Sequence, residues 1–258
     1  MAKGRILVGT SGWVYKSWAE SFYPPEIRPA AHLDYYATQF PTVEINASFY
    51  RLPSESAIAG WQRKAPPGFL YAVKAPRAIT HFKKLKPGAL SFDLFFERLP
   101  GFGENLGPVL WQLPGSFRKN VERLDSFLES IRNKPCGIGH AVEFRHASWF
   151  SEDVYEVLRR HRTALVSIST LALPMDLTLT ADFTYVRFHG LEGGAAHDYT
   201  ADELKPWAEH LRRCARQGRD AFVYFNNDIN TRAPLNARML MEMVGARYAP
   251  NVTQVSGL

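Results

Sequence analysis

Glu143, Arg145 and His146 close a short apolar run, His140-Ala141-Val142, before Ser148-Trp149-Phe150-Ser151. A carboxylate, a guanidinium and an imidazole this close together can hold an anion or pass a proton. Other apolar runs end in the same way. Thr42-Val43-Glu44-Ile45-Asn46 carries Glu44 and Asn46, and Phe69 to Val73 leads into Lys74. Pro108 to Trp111 leads into Gln112, and Thr184 to His189 carries Arg187 and His189. Ala221 to Phe225 ends on Asn226. Glu44 with Asn46, Glu143 with Arg145, and Arg187 with His189 stand two residues apart, so in strands each pair faces one way. Burying charge is costly unless it is paired. Two carboxylates and three cations (Lys74, Arg145, Arg187) would partly compensate one another and leave a positive excess suited to phosphate or carboxylate. A purely structural reading is also open, because barrel interiors hold salt-bridge networks near their top layer.

The elements that must position these residues follow from pattern. Strand-like runs begin at Ile6, Thr42, Phe69, Pro108, His140, Ala164, Thr184 and Ala221. Between them lie one-sided helical patterns, such as Leu33, Tyr36, Ala37 and Phe40. Asn120 and Ser151 read as helix caps, Thr200 with Glu203 as a capping box, and Pro234 as a helix start. Pro206 should bend its helix. Alternation of about eight strands with helices over some 250 residues predicts an α/β fold of the TIM-barrel type. One domain over residues 1–258 is expected, with an irregular or missing helix between the sixth and seventh strands. The strand tips named above would then meet at the carboxyl-terminal mouth, where barrels bind ligands.

The totals agree with such a domain. The chain has 258 residues, 46% hydrophobic and 22% charged, with a net charge of +6. That excess permits an anionic ligand without marking a nucleic-acid binder. Cys136 and Cys214 form no metal or redox motif, which fits a reducing cytoplasm. No membrane partner is expected, since no signal or transmembrane run is present.

Two loops add to the mouth. The basic segment after Lys74 contains His81, while its Lys83, Lys84 and Lys86 read as solvated. His189-Gly190-Leu191-Glu192-Gly193-Gly194 could approach an anion through backbone N–H groups, or could simply be a flexible turn. Trp13 and Tyr50 are the aromatic candidates for the mouth, suited to stacking on a sugar or base.

Gly9-Thr10-Ser11-Gly12-Trp13, Val43-Glu44-Ile45-Asn46 with Phe49-Tyr50, Lys74 with Ile79-Thr80-His81, Val142 to His146 with Ser148-Trp149, and Tyr185 to Gly190 together resemble the YecE-like family. The likeness runs over nearly the whole chain. It implies a TIM-type barrel and carries no assigned activity.

Three functions are consistent with these residues. The first is a hydrolase of a phosphorylated or nucleic-acid-like anion. Lys74, Arg145 and Arg187 would hold the anion, and Asn46, His81, Gln112 and Asn226 would add contacts. Glu143 or Glu44 would be general acid or base, with His189 as a further candidate. The second is a glycosidase-like enzyme using Glu44 and Glu143, at about 5–5.5 Å for retention or about 6.5–9.5 Å for inversion. The third is a non-catalytic module that binds an anion or nucleic acid. No cofactor is expected. A divalent metal on Glu44, Glu143, His146 and His189 is disfavoured by the surrounding cations.

Overall fold

The computed structural model describes residues 3–19, 21–132, 134 and 138–250. Eight parallel strands form one sheet in the order β1-β8-β7-β6-β5-β4-β3-β2. They are β1 (Ile6–Thr10), β2 (Thr42–Ile45), β3 (Leu70–Lys74), β4 (Leu106–Gln112), β5 (His140–Glu143), β6 (Ala164–Ser169), β7 (Phe183–Phe188) and β8 (Asp220–Phe225). Helices α1 (His32–Gln39), α2 (Ala47–Tyr50), α3 (Glu55–Lys64), α4 (Ser91–Arg98), α5 (Val121–Arg132), α6 (Glu152–Arg160), α7 (Ala201–Arg216) and α8 (Arg232–Val244) connect them. The expected TIM-type barrel is thus present. Residues 170–182 cross from β6 to β7 without a helix, as expected. Thr180 pins that crossover: its hydroxyl accepts from the Leu165 N–H at 2.8 Å and donates to the Thr163 carbonyl at 2.6 Å.

The two outer strands of that order, β1 and β2, meet at a seam. A parallel bridge joins Ser11 to Glu44, and the Gly12 N–H donates to the Glu44 carbonyl at 2.8 Å. Below this point the Tyr36 phenol, reaching in from α1, replaces the ladder. It accepts from the Thr10 N–H at 2.9 Å and donates to the Thr42 carbonyl at 3.0 Å. Gly9 is required beside it, because a Cβ there would sit 2.0 Å from the Thr42 carbonyl oxygen.

Two cores result. A large one lies between sheet and helices and includes Val8, Tyr36, Val43, Trp111, Leu128, Leu158, Leu211 and Leu240. A smaller one fills the barrel itself, with Ala72, Leu110, Ala141, Val166, Tyr185 and Tyr224 among its members. Lys74, Gln112, Glu143, Arg187 and Asn226 each stand two residues beyond one of those inner side chains. Strand alternation therefore carries the inward face up to the mouth as a polar layer.

The helix signals hold in most places. Asn120 accepts from the Arg123 N–H at 2.8 Å, and Thr200 and Glu203 complete their capping box. Ser151 does occupy the cap position of α6, but its hydroxyl binds Asp153 rather than the backbone. α7 runs on through Pro206. Cys214 is free and buried, while Cys136 lies outside the described residues. No described helix is long and apolar enough to cross a membrane.

Candidate functional site at the barrel mouth

The centre of the mouth is an ion triplet. Arg187, on β7, is 1% exposed, and Glu44 and Glu143 are wholly buried. One terminal nitrogen of Arg187 donates to Glu143 Oε2 at 2.6 Å, the other to Glu44 Oε1 at 2.7 Å. The remaining carboxylate oxygens are also occupied. The Tyr185 phenol donates to Glu44 Oε2 at 2.6 Å, and Ser11 adds a second donor to Glu44 Oε1 at 2.7 Å. Arg145 Nε donates to Glu143 Oε1. Burial would raise the Glu143 carboxyl, but Arg145, Arg187 and His189 override it and hold it well below the usual carboxylate range. Burial and the nearby Glu44 push the Tyr185 phenol well up, so it stays a donor.

Two sequence expectations change here. Arg187 is not free to grip an anion, because both glutamates consume its terminal groups. Glu143, fixed as a carboxylate by two guanidinium groups, has no proton to give as a general acid. The two carboxylates also do not face each other across an open gap, since the Arg187 guanidinium sits between them.

Above the triplet the layer reaches solvent. The Arg145 side chain is 25% exposed, and one of its terminal nitrogens lies 2.6 Å from His189 Nε2. A guanidinium only donates, so Nε2 is the bare nitrogen of a neutral ring and Nδ1 carries the proton. Asn226 lies 3.2 Å from Nδ1, and that proton calls for the amide oxygen to face the ring. Burial lowers the His189 ring to about 4, so it is neutral near pH 7. Its Nε2 also lies 3.5 Å from Glu143 Oε1, well placed to balance a proton gained there.

Lys74 stands apart. Its ammonium lies 4.2 Å from the centre of the Phe49 ring and makes no ion pair among the described residues. Burial, then the charge of Arg187, lowers it to about 8, while Glu44 and Glu143 oppose this only through space. Asn46 follows β2, and its buried Oδ1 has no partner among the described residues. His81 packs edge-on against Phe49, 4.8 Å between ring centres, and its ring is lowered by burial and by Lys74. Gln112 ends β4 beside Glu143 in register.

Other candidates sit at the margin. Trp13 packs edge-on against Trp61 at 5.5 Å and is part of the loop packing. Tyr50 is exposed on the rim. In the glycine loop the Gly190 N–H donates to the Tyr199 phenol at 3.0 Å, and the Gly194 N–H to the Leu191 carbonyl at 3.0 Å. Gly190 is needed for the turn itself, since a Cβ would strike the Gly194 carbonyl at 1.7 Å. Those two N–H groups are thus spent on a tight turn, while the N–H groups of Leu191, Glu192 and Gly193 have no partner among the described residues. His146 caps the following turn, accepting from the Ser148 N–H at 3.1 Å, and does not join Glu143. Among the described residues no three His, Cys, Asp or Glu side chains gather as a metal site would require.

Sequence reading places Ser11 at the tip of β1, where it does reach Glu44, but missed Tyr185, although Tyr185 shares the parity of Arg187 and so was detectable. It also missed Asp228 on the loop after β8. Burial raises that carboxyl to about 6 against the Trp18 Nε1–H bond at 2.6 Å. A separate cavity of about 970 Å³ opens at the other end of the barrel, among Arg5, Leu70, Leu106, Phe183 and Asp220. Those residues begin the strands, at the end that serves stability rather than chemistry in such barrels.

The fold and the polar mouth define a TIM-type barrel with a buried ion triplet beneath its strand tips. The chain belongs to the family described as Protein of unknown function DUF72, which it matches over residues 7–256. This is the YecE-like family that the motifs resemble. It is 29% identical over 281 residues to UPF0759 protein YunF of Bacillus subtilis strain 168, covering 95% of this chain and 96% of that protein. A DUF72 family protein of Thermotoga maritima MSB8 superposes with a TM-score of 0.83 at 31% identity, covering 93% of this chain and 99% of that one. One from Enterococcus faecalis V583 gives 0.78 at 19%, covering 96% and 100%. D-psicose 3-epimerase of Clostridium cellulolyticum H10, at 0.52 and 13% identity, shares the barrel alone.

Proposed function

We propose that the mouth binds a small phosphate-bearing anion and that the chain hydrolyses its ester. The observation that carries this reading is Lys74, a half-buried ammonium without an ion pair, beside an Arg145 already turned towards solvent. The triplet below carries one net negative charge, and Arg145 and Lys74 above it turn the layer to one net positive, three cations against two carboxylates. Lys74 and Arg145 would clamp the phosphate, with Asn46, His81, Gln112 and Asn226 around it.

His189 supplies the base. When the phosphate takes the Arg145 nitrogen now on Nε2, that lone pair is released to a water. The water oxygen bonds to phosphorus, the ester P–O bond breaks, and the water proton passes to Nε2. Glu143, ionised and 3.5 Å away, stabilises the imidazolium. The leaving oxygen takes its proton from solvent at the mouth. Glu44 stays a structural partner of Arg187.

The test is titration with inorganic phosphate together with turnover of an aryl phosphate monoester. Lys74→Met should weaken phosphate by about tenfold or more. His189→Asn should cut turnover by roughly a hundredfold or more with little change in binding. Phosphate binding without turnover by the unaltered protein would make the mouth a binding module rather than an enzyme. No phosphate binding would overturn the reading altogether.

A further inference from the structure

The rim next to Lys74 carries an array that the anion site leaves unexplained. The guanidinium carbon of Arg77 lies 5.5 Å from the centre of the Tyr50 ring and 5.3 Å from that of Phe82. Tyr50 and Phe82 are each 71% exposed. Arg77 is exposed as well and forms no ion pair among the described residues. The array continues inward. Tyr50 meets Phe49 edge-on at 5.0 Å between ring centres, and Phe49 lies against the Lys74 ammonium. A chain of flat groups thus leads from the lone cation out to solvent.

The loop that carries Arg77 and Phe82 is held in an uncommon shape, and Tyr50 reaches the array from the end of α2. Residues Ala78–Phe82 form a single π-helical turn, closed by the Lys83 N–H on the Ala78 carbonyl at 3.0 Å. Turns of this kind cluster at functional sites. Lys84 and Leu85 follow with φ of 49° and 65°, a region that side-chain-bearing residues rarely adopt. Leu85 is buried at 3% exposure and anchors the loop despite that conformation. Arg77 and Phe82 are therefore presented in the open beside Tyr50, where no core contact requires them.

Resting on the anion-site reading above, we infer that the ligand is a nucleotide: its phosphate lies on Lys74 and Arg145, and its base stacks on the Tyr50–Arg77–Phe82 array. Aromatic faces and a guanidinium plane are what a nucleobase stacks on, whatever its sequence. An array meant only for an alkyl group would gain little from the guanidinium between its rings. A bare inorganic anion would use none of it.

Calorimetric titration with adenosine monophosphate, ribose phosphate and hexyl phosphate separates these cases. Adenosine monophosphate should bind at least about fivefold more tightly than either of the others. Tyr50→Ala and Phe82→Ala together should remove that advantage and leave ribose phosphate unchanged. Both positions are on the surface, so circular dichroism should match the unaltered protein. Lys74→Met should weaken adenosine monophosphate and ribose phosphate alike. Equal affinity for those two would overturn the stacking subsite while leaving the anion site standing. Hexyl phosphate binding as tightly as adenosine monophosphate would replace the planar contact with a plain apolar one and overturn the inference. No binding of any of the three would overturn the anion site as well.

Discussion

Arg187 holds two glutamates apart and together at once, and the chemistry of the mouth follows from that. A guanidinium buried between two carboxylates is stable because each charge is paired and each carboxylate oxygen has a donor, although the Arg187 Nε–H has no partner among the described residues. Removing one partner strands the others. Glu143→Gln leaves Arg187 and Arg145 short of a negative partner in a dry site, and should lower unfolding free energy by about 3–5 kcal/mol in urea denaturation. A loss below about 1 kcal/mol would mean that the triplet is much better solvated than its burial implies. The same pairing decides which groups can titrate. Glu143 stays ionised through neutral pH, so the proposed hydrolysis assigns proton traffic to His189 and anion binding to Lys74. Turnover should rise as pH climbs through about 4, where His189 loses its proton and becomes a base. It should fall as pH climbs through about 8, where Lys74 loses its charge and its hold on the anion. In Lys74→Met the upper limb should disappear, which a pH–rate series reads directly. At this scale the sequence was informative about membership of the layer. Glu44, Lys74, Glu143, Arg187 and Asn226 share the inward parity that their spacing indicated. It was silent on partnership. Nothing in the order of residues says that both glutamates choose Arg187, because that depends on three strands meeting in space.

The elements show why some features were legible and others not. The caps at Asn120 and at Thr200 with Glu203 were readable because they are local: donor and acceptor lie within one turn. The break after β6 was readable as a length too short for a helix. The seam between β1 and β2 was hidden, since it is closed by a phenol from α1 rather than by a strand ladder, and an apolar stripe gives no hint that Tyr36 is a bridge. Tyr36→Phe should leave the Thr10 N–H and the Thr42 carbonyl unpaired in the core. The cost should be about 1–3 kcal/mol, seen as a lower melting temperature. Gly9→Ala should cost more, because its methyl carbon must displace backbone at the seam rather than a movable side chain. If Gly9→Ala melts like the unaltered chain, the seam is looser than described. The glycine loop after β7 teaches the converse lesson. Its composition suggested donors for an anion, yet Gly190 is there for a close turn and its N–H is already bound to Tyr199.

For the whole molecule, alternation of strand and helix was enough to give the barrel, because that architecture repeats one local unit. The barrel in turn places every polar strand tip at a single end. The opposite end carries strand beginnings and the Arg5–Asp220 ion pair at 2.6 Å, beside Glu104 and Asp182 in the cavity lining. In the mouth both carboxylates are bound to Arg187, and the Lys74 ammonium makes no ion pair among the described residues. The most direct measurement is calorimetric titration with inorganic phosphate between pH 6 and pH 9.5, for the unaltered chain and for Lys74→Met. The account predicts binding that weakens above about pH 8 in the first and is about tenfold weaker, without that step, in the second. Equal, pH-independent affinity in both would contradict it.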